Sequence, residues 1–372
     1  MEINPTDEQR MLAQTARAFL EASSPTSVVR ELERSDAGFS ADHWGAIARL
    51  GWTGLLVPDD YGGAGRGLLD LVVLCEEFGR ALFPSPLAAS SVLAGLPVLW
   101  AGTEEQRRRY LPRIADGSLV ATLALLEPGA RDEWHDMALE LRHRGDALEL
   151  RGTKTLVPFA GSAQLLLVAA RSDKGAPALV AVEPQRGGVE SARLPVMGGE
   201  PLYEVSFRDA RVDRDALIGR PDAVRGVIDR ALDHAAVAGL AFMVGAAERT
   251  LEMTVAHARS REQFGRPIGE FQAVAHRCVD MRSDIDACRY LAYQAAWSLD
   301  AARDSALEVG AAKAFGNEAL RRIFMHAQQV HGAIGFSTEY DLQLYTRRAK
   351  AFELTFGGVA RHRERVARAM GL

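Results

Sequence analysis

Arg261-Glu262-Gln263-Phe264-Gly265-Arg266-Pro267-Ile268-Gly269-Glu270-Phe271-Gln272 is the stretch of this 372-residue chain on which the fold turns. It ends one segment of helical period, about 222 to 258, and begins another, about 268 to 302. Arginine and amide groups crowd into it, and a guanidinium fork matches the oxygens of a pyrophosphate. A solvated interhelical turn is the other reading of the same residues.

Working outward, helical period continues over about 305 to 330 and 341 to 370. Between these segments lies Gln329-Val330-His331-Gly332-Ala333-Ile334-Gly335. It reads either as a helix stop at glycine or as a place where backbone must approach a ligand closely. Upstream, Ala235 to Gly245 is so rich in Ala and Gly that a neighbouring helix can pack closely on it. Before Gly219 the period changes. Ala147 to Leu150, Gln164 to Ala170, Ala178 to Val182 and Tyr203 to Phe207 are short alternating or apolar runs, with turns at Gly145-Asp146, Lys174-Gly175 and Gly198-Gly199. Earlier still, Thr6 with Gln9 and Thr103 with Gln106 are capping patterns that open amphipathic helices. Gly51 to Gly65 is a glycine-rich turn segment, and Leu68 to Leu82 and Leu87 to Trp100 have helical spacing. The α, then β, then α order divides the chain into a helical region 1–119, a β domain 120–221 and a helical bundle 222–372, an α+β fold.

Composition excludes several classes. Apolar residues at 48% and a net charge of −5 match ordinary soluble domains and lack the basic excess that nucleic acid attracts. The acidic N-terminal residues and the absence of an apolar run of about 18 residues argue against a signal peptide or a membrane span, so a cytoplasmic protein is expected. Cys75, Cys278 and Cys288 lack CxxC spacing and read as inert reduced thiols. No HExxH, zinc-spaced cluster, GxSxG elbow, phosphate loop or GxGxxG after a strand is present, so no metal site is expected.

Taken together in this order, the motifs resemble the acyl-CoA dehydrogenase family over essentially the whole chain. Gly51 to Gly65 is similar to the family's early glycine-rich segment, and Leu126-Glu127-Pro128-Gly129 to its TEP motif. Gly152-Thr153-Lys154 resembles the strand that follows. Val205 to Val212 with Leu217-Ile218-Gly219 resembles the exit from the β domain, while RxxFGxPI and QxHGxxG resemble the family's two C-terminal signatures. The resemblance implies FAD held between subunits. Arg261 and Phe264 would reach the pyrophosphate and adenosine of a neighbour's FAD, with Gln272 close by. Gln329, Gly332 and Ala333 would pass under the same portion, and Leu126, Val157 and Pro158 would meet the isoalloxazine ring. It also implies an acyl-CoA substrate oxidised at its α and β carbons, an electron-transfer flavoprotein as acceptor, and a homodimer, homotetramer or heterotetramer with a homologous chain.

The chain departs from the family where a base is needed. Ungapped alignment puts Phe356-Gly357-Gly358 on the E-G-T stretch that carries the usual carboxylate, and the alternative base position on the preceding long helix is Ala235, beside Ala236. The Thr of TEP is Leu126, and Asp132 and Pro158 replace hydroxyl residues at the flavin. Two carboxylates lie near the vacancies, Glu353 and Asp233. Each is a candidate base. Each is also a candidate ion-pair partner, Glu353 for Arg347, Arg348 or Lys350, and Asp233 for Arg230. The backbone N–H of Phe356 is still available to polarise a thioester carbonyl. These departures resemble heteromeric acyl-CoA dehydrogenases of sterol side-chain and dicarboxylate breakdown, in which one of two paired chains lacks the base. Activity by a displaced carboxylate, activity only with a partner, a non-catalytic assembly role, and a flavin enzyme with another substrate all remain open at this stage.

Overall fold

A computed structural model describes residues 4–129, 137–144 and 147–372. The turn expected at Gly145-Asp146 and the position of Asp132 lie outside the described residues.

Both capping patterns form as read. The Thr6 N–H donates to Gln9 Oε1 at 3.0 Å and the Gln9 N–H to Thr6 Oγ1 at 3.2 Å, opening α1 (Asp7–Ser23). Then come α2 (Thr26–Arg34), α3 (Ala41–Arg49) and α4 (Leu68–Arg80). The 87–100 stretch is not a uniform α-helix. Ala88–Gly95 is π-helical and α5 (Leu96–Ala101) continues it. Two serines are engaged outside that stretch: Ser90 Oγ accepts from the Ala121 N–H at 3.2 Å, and Ser91 Oγ donates to the Thr53 carbonyl at 2.7 Å. The second capping box starts α6 (Glu104–Ala115), and Gln106 Nε2 also donates to the carbonyls of Asp215 and Leu217. One glutamine thus caps a helix and ties it to the exit from the sheet.

The middle of the chain is a seven-stranded mixed sheet of β1 (Ala121–Ala124), β2 (Glu140–Arg144), β3 (Ala147–Pro158), β4 (Leu165–Ser172), β5 (Pro177–Val182), β6 (Val189–Arg193) and β7 (Leu202–Asp213). β4 is the hinge of the architecture. Leu166, Val168 and Ala170 pack into the core between strands, whereas Leu165, Leu167 and Ala169 join the core shared with the helices. A strand buried on both faces reads as a continuous apolar run, which is why 165–170 shows no polar alternation.

The C-terminal part contains α7 (Pro221–Ser260), α8 (Gln272–Asp300), α9 (Ala306–His331), α10 (Leu342–Leu354) and α11 (Val359–Ala369). The helix expected over 341–370 is therefore two helices. Phe356 and Gly357 have φ of +60° and +94°, which no continuing α-helix accommodates. The close packing expected on the Ala/Gly stretch of α7 occurs against α4. A Cβ on Gly245 would lie 1.7 Å from the Glu76 carbonyl oxygen, and one on Gly79 1.6 Å from that of Phe242. Beside this contact Arg289 bridges Glu76 at 2.8 Å and Glu248 at 2.9 Å, joining α4, α7 and α8.

Candidate active site

The 261–272 stretch is a small hairpin rather than a plain turn. β8 (Glu262–Gln263) pairs with β9 (Arg266–Pro267), and Phe264 and Gly265, at φ +56° and +80°, form the two-residue tip. Two successive positive φ values suit the twist of a tight hairpin, though a phenylalanine there is unusual. Phe264 is 92% exposed, and its ring meets that of Phe271 edge-on, with centroids 6.0 Å apart. Arg261 is exposed, and its guanidinium has no hydrogen-bond or ion-pair partner among the described residues. Gln272 is exposed at the start of α8.

The second signature lies against the first. His331, at the end of α9, stacks on His257, one turn before Arg261, with ring centroids 4.6 Å apart and planes 20° from parallel. Its Nδ1–H donates to the Ala327 carbonyl and its Nε2 accepts from Tyr340 Oη at 3.2 Å. Burial holds both imidazoles below their ordinary pKa, with the Arg261 charge acting the same way on His257. A neutral, bonded ring of this kind is a spacer between motifs. Beyond it Gln329, Gly332 and Ala333 are exposed. Gly332 has φ +64° and ψ −141°, a conformation effectively reserved for glycine, and open space where a Cβ would point. An unpartnered guanidinium, a bare aromatic ring and a glycine bordering free space fit a dinucleotide contributed from outside the chain.

The β-sheet wall is fixed by a buried ion pair. Lys154, fully buried, donates from Nζ to Glu127 Oε1 at 2.7 Å and to the Leu125 carbonyl at 2.9 Å. Burial draws its pKa down while Glu127 opposes that shift. The Thr155 N–H donates to the Leu126 carbonyl at 2.8 Å, so the LEPG and GTK segments adjoin. A bulge between Lys154 and Val157 then changes the presentation. Val157 turns its side chain into the strand core and pairs with Tyr203 of β7; Pro158 and Leu126 are half-buried. The side chain offered beside them is Leu156, 45% exposed with φ +54°. Sequence reasoning passed over Leu156, because bulge position depends on the register with β7.

The structure engages both candidate carboxylates in ion pairs. Glu353 accepts from Lys350 Nζ at 2.9 Å. Asp233 takes a bidentate fork from Arg365 of α11, at 2.5 and 2.6 Å, instead of from Arg230. Arg230 lies over the Trp100 ring, 4.0 Å from its centroid. Phe356 packs toward α7, where a Cβ on Gly239 would come 3.8 Å from its ring and 2.8 Å from that of Phe352. Ala235 and Ala236, one turn before Gly239, are buried. No group of His, Cys, Asp or Glu suited to a metal occurs among the described residues, and no helix among them is long and apolar enough to cross a membrane.

Comparison with known proteins bears on the fold and the family. Residues 6–118 match the acyl-CoA dehydrogenase N-terminal domain and residues 225–371 the C-terminal domain. Acryloyl-CoA reductase (NADH) of Anaerotignum propionicum is 30% identical over 379 aligned positions, covering 99% of this chain and 95% of the relative. Among solved structures, the Tcur3481-Tcur3483 steroid acyl-CoA dehydrogenase superposes with a TM-score of 0.88 at 31% identity, covering 98% of each chain. The ChsE4-ChsE5 complex of Mycobacterium tuberculosis gives 0.91 at 28% identity, covering 100% of this chain and 99% of the other. With matches that span the chain from end to end and an architecture shared throughout, this protein belongs to the acyl-CoA dehydrogenase family of FAD-dependent oxidoreductases.

Proposed function

We propose that this chain is the base-lacking subunit of a heteromeric dehydrogenase that acts on a CoA thioester, pairing with a homologous chain that supplies the carboxylate. The observation that carries this reading is that Phe356, set at the usual base position by the family resemblance, packs against α7, while Glu353 and Asp233 are each held by a cation. A general base contributes about 100- to 10,000-fold to proton abstraction, so a cleft without one is not expected to turn over at a useful rate.

FAD held there would supply the acceptor for the hydride that leaves the acyl β carbon. The chain's own part is to hold the cofactor shared with its partner. Arg261 would neutralise the pyrophosphate, and Phe264 and Gln272 would cover the adenosine side. Gln329, Gly332 and Ala333 would present backbone to the same portion. Leu126, Leu156 and Pro158, with Val157 packed behind them, would form an apolar wall that keeps water from the ring. The likeness to the Tcur3481-Tcur3483 steroid enzyme and the ChsE4-ChsE5 complex supports a partner chain, and the likeness to a caffeyl-CoA reductase-Etf complex subunit supports an electron-transfer flavoprotein as acceptor.

The test is anaerobic flavin reduction by defined acyl-CoAs, with the chain alone and after coexpression with a neighbouring homologue. Reduction is expected only for the pair. Robust dehydrogenation by the chain alone, abolished by Glu353→Gln, would instead establish a displaced base and remove the partner from the mechanism.

A further inference from the structure

Between α9, α10 and α11 lies a polar cluster that the proposed function does not use. Lys313 of α9 is 1% exposed. Its Nζ donates to Asn317 Oδ1 at 2.7 Å and to the Phe352 carbonyl at 2.9 Å, and sits 3.8 Å from the Phe352 ring centroid. Asn317 Nδ2 in turn donates to the carbonyls of Glu353 at 3.3 Å and Gly357 at 3.5 Å. From α11, His362 Nε2–H donates to the Phe356 carbonyl at 2.8 Å. Four carbonyls of the 352–357 turn are thereby held by side chains from two other helices.

A cluster of this kind needs an explanation beyond filling space. A buried ammonium carries a desolvation cost that a methionine of similar length would avoid. Burial draws the Lys313 pKa down to about 7 against the opposing field of the Glu353 carboxylate. The turn itself is unfavourable, since Phe356 is a non-glycine residue in the left-handed region. Helix α10 also ends here, leaving terminal carbonyls that require donors. Besides the Thr355 N–H, which donates to the Phe352 carbonyl, the side-chain donors are Lys313, Asn317 and His362.

We propose that Lys313, acting through Asn317 and alongside His362, is the positioning residue of the 352–357 turn, holding Phe356 in its left-handed conformation with its ring against Gly239. This rests on the proposed function only in giving that turn the place of the missing base; the positioning role itself concerns the turn's order.

The test is amide hydrogen exchange on the full-length, FAD-loaded protein with its partner, comparing wild type with Lys313→Met and Asn317→Asp. Lys313→Met keeps the volume and removes the donor. Asn317→Asp keeps an acceptor for Lys313 and removes the donors to Glu353 and Gly357. Both are expected to raise exchange over 353–358 by about tenfold or more, with α8 peptides unchanged, since a lost hydrogen bond to a charged group or a buried carbonyl has this effect locally. Exchange over 353–358 within twofold of wild type in Lys313→Met would show that the lysine merely fills space and would overturn the proposal. If Lys313→Met does not fold, Asn317→Asp decides by the same criterion. The comparison needs no turnover, so a flavin spectrum indifferent to every CoA ester would defeat the functional reading and leave this result standing.

Discussion

Glu127 and Lys154 show how much a single side chain carries here. With Lys154 fully buried and Glu127 its only carboxylate partner among the described residues, Glu127→Gln leaves an uncompensated ammonium among apolar strands. Breaking a buried pair in this way costs about 3–5 kcal/mol. Chemical denaturation of Glu127→Gln is expected to show a loss of that size, against less than about 1 kcal/mol for Arg10→Ala at the exposed Asp7 pair. At the same scale Lys313 sets a pH dependence. Its folded pKa of about 7 lies below the unfolded 10.5, so the unfolded chain binds more protons in between. This group therefore makes stability rise with pH from about 7 to 10.5, and Lys313→Met is expected to flatten that rise in thermal melts across the interval. The sequence offered Lys313 only as one lysine in a helical run. Its burial depends on α10 and α11, which no local pattern specifies.

At the scale of elements, α5, α7 and the α4–α7 crossing have distinct weak points. His234 of α7 packs edge-on against Trp100 of α5, ring centroids 5.0 Å apart, and donates from Nδ1 to the Arg230 carbonyl. Burial pushes its pKa down to about 4 from 6.5. The unfolded chain then takes up a proton that the native state refuses between those values, so acidification through that window destabilises the fold by roughly 3 kcal/mol. His234→Phe keeps an aromatic ring against Trp100 and is expected to remove that part of the acid limb, measured as unfolding free energy at pH 6.5 and 4. The α4–α7 crossing tolerates no side chain at its glycines. Gly245→Ala would drive a methyl to within 1.7 Å of a backbone oxygen, and a loss of about 3 kcal/mol is expected in denaturant titration. Helix starts were legible from Thr6/Gln9 and Thr103/Gln106 because capping is local chemistry. The π-helical 88–95 stretch and the break at 355–358 were not, because neighbouring elements engage the side chains and carbonyls there.

For the whole molecule, Arg261, with no partner among the described residues, and the open space at Gly332 flank the His257–His331 stack, and the exposed Phe264 sits at the hairpin tip three residues beyond Arg261. Arg261→Ala with Phe264→Ser is expected to lower the flavin-to-protein absorbance ratio after gel filtration at least tenfold, while the far-ultraviolet helical signal stays unchanged. A full flavin complement in that variant would place the cofactor elsewhere. The sequence by itself determined the α, β, α order, the two Thr–Gln helix caps, the apolar run of β4 and the absence of a carboxylate at 356 and 235, because each follows from residue identity, short-range spacing or hydrophobic period. Only the tertiary structure decided that Glu353 is paired with Lys350, that Asp233 is clasped by Arg365 from 132 positions away, and that Leu156 faces out at a bulge. The physical reason is range. Caps and periods are set within a few residues, whereas the partner of a charge and the register of a strand are set by whichever distant segment the fold brings alongside.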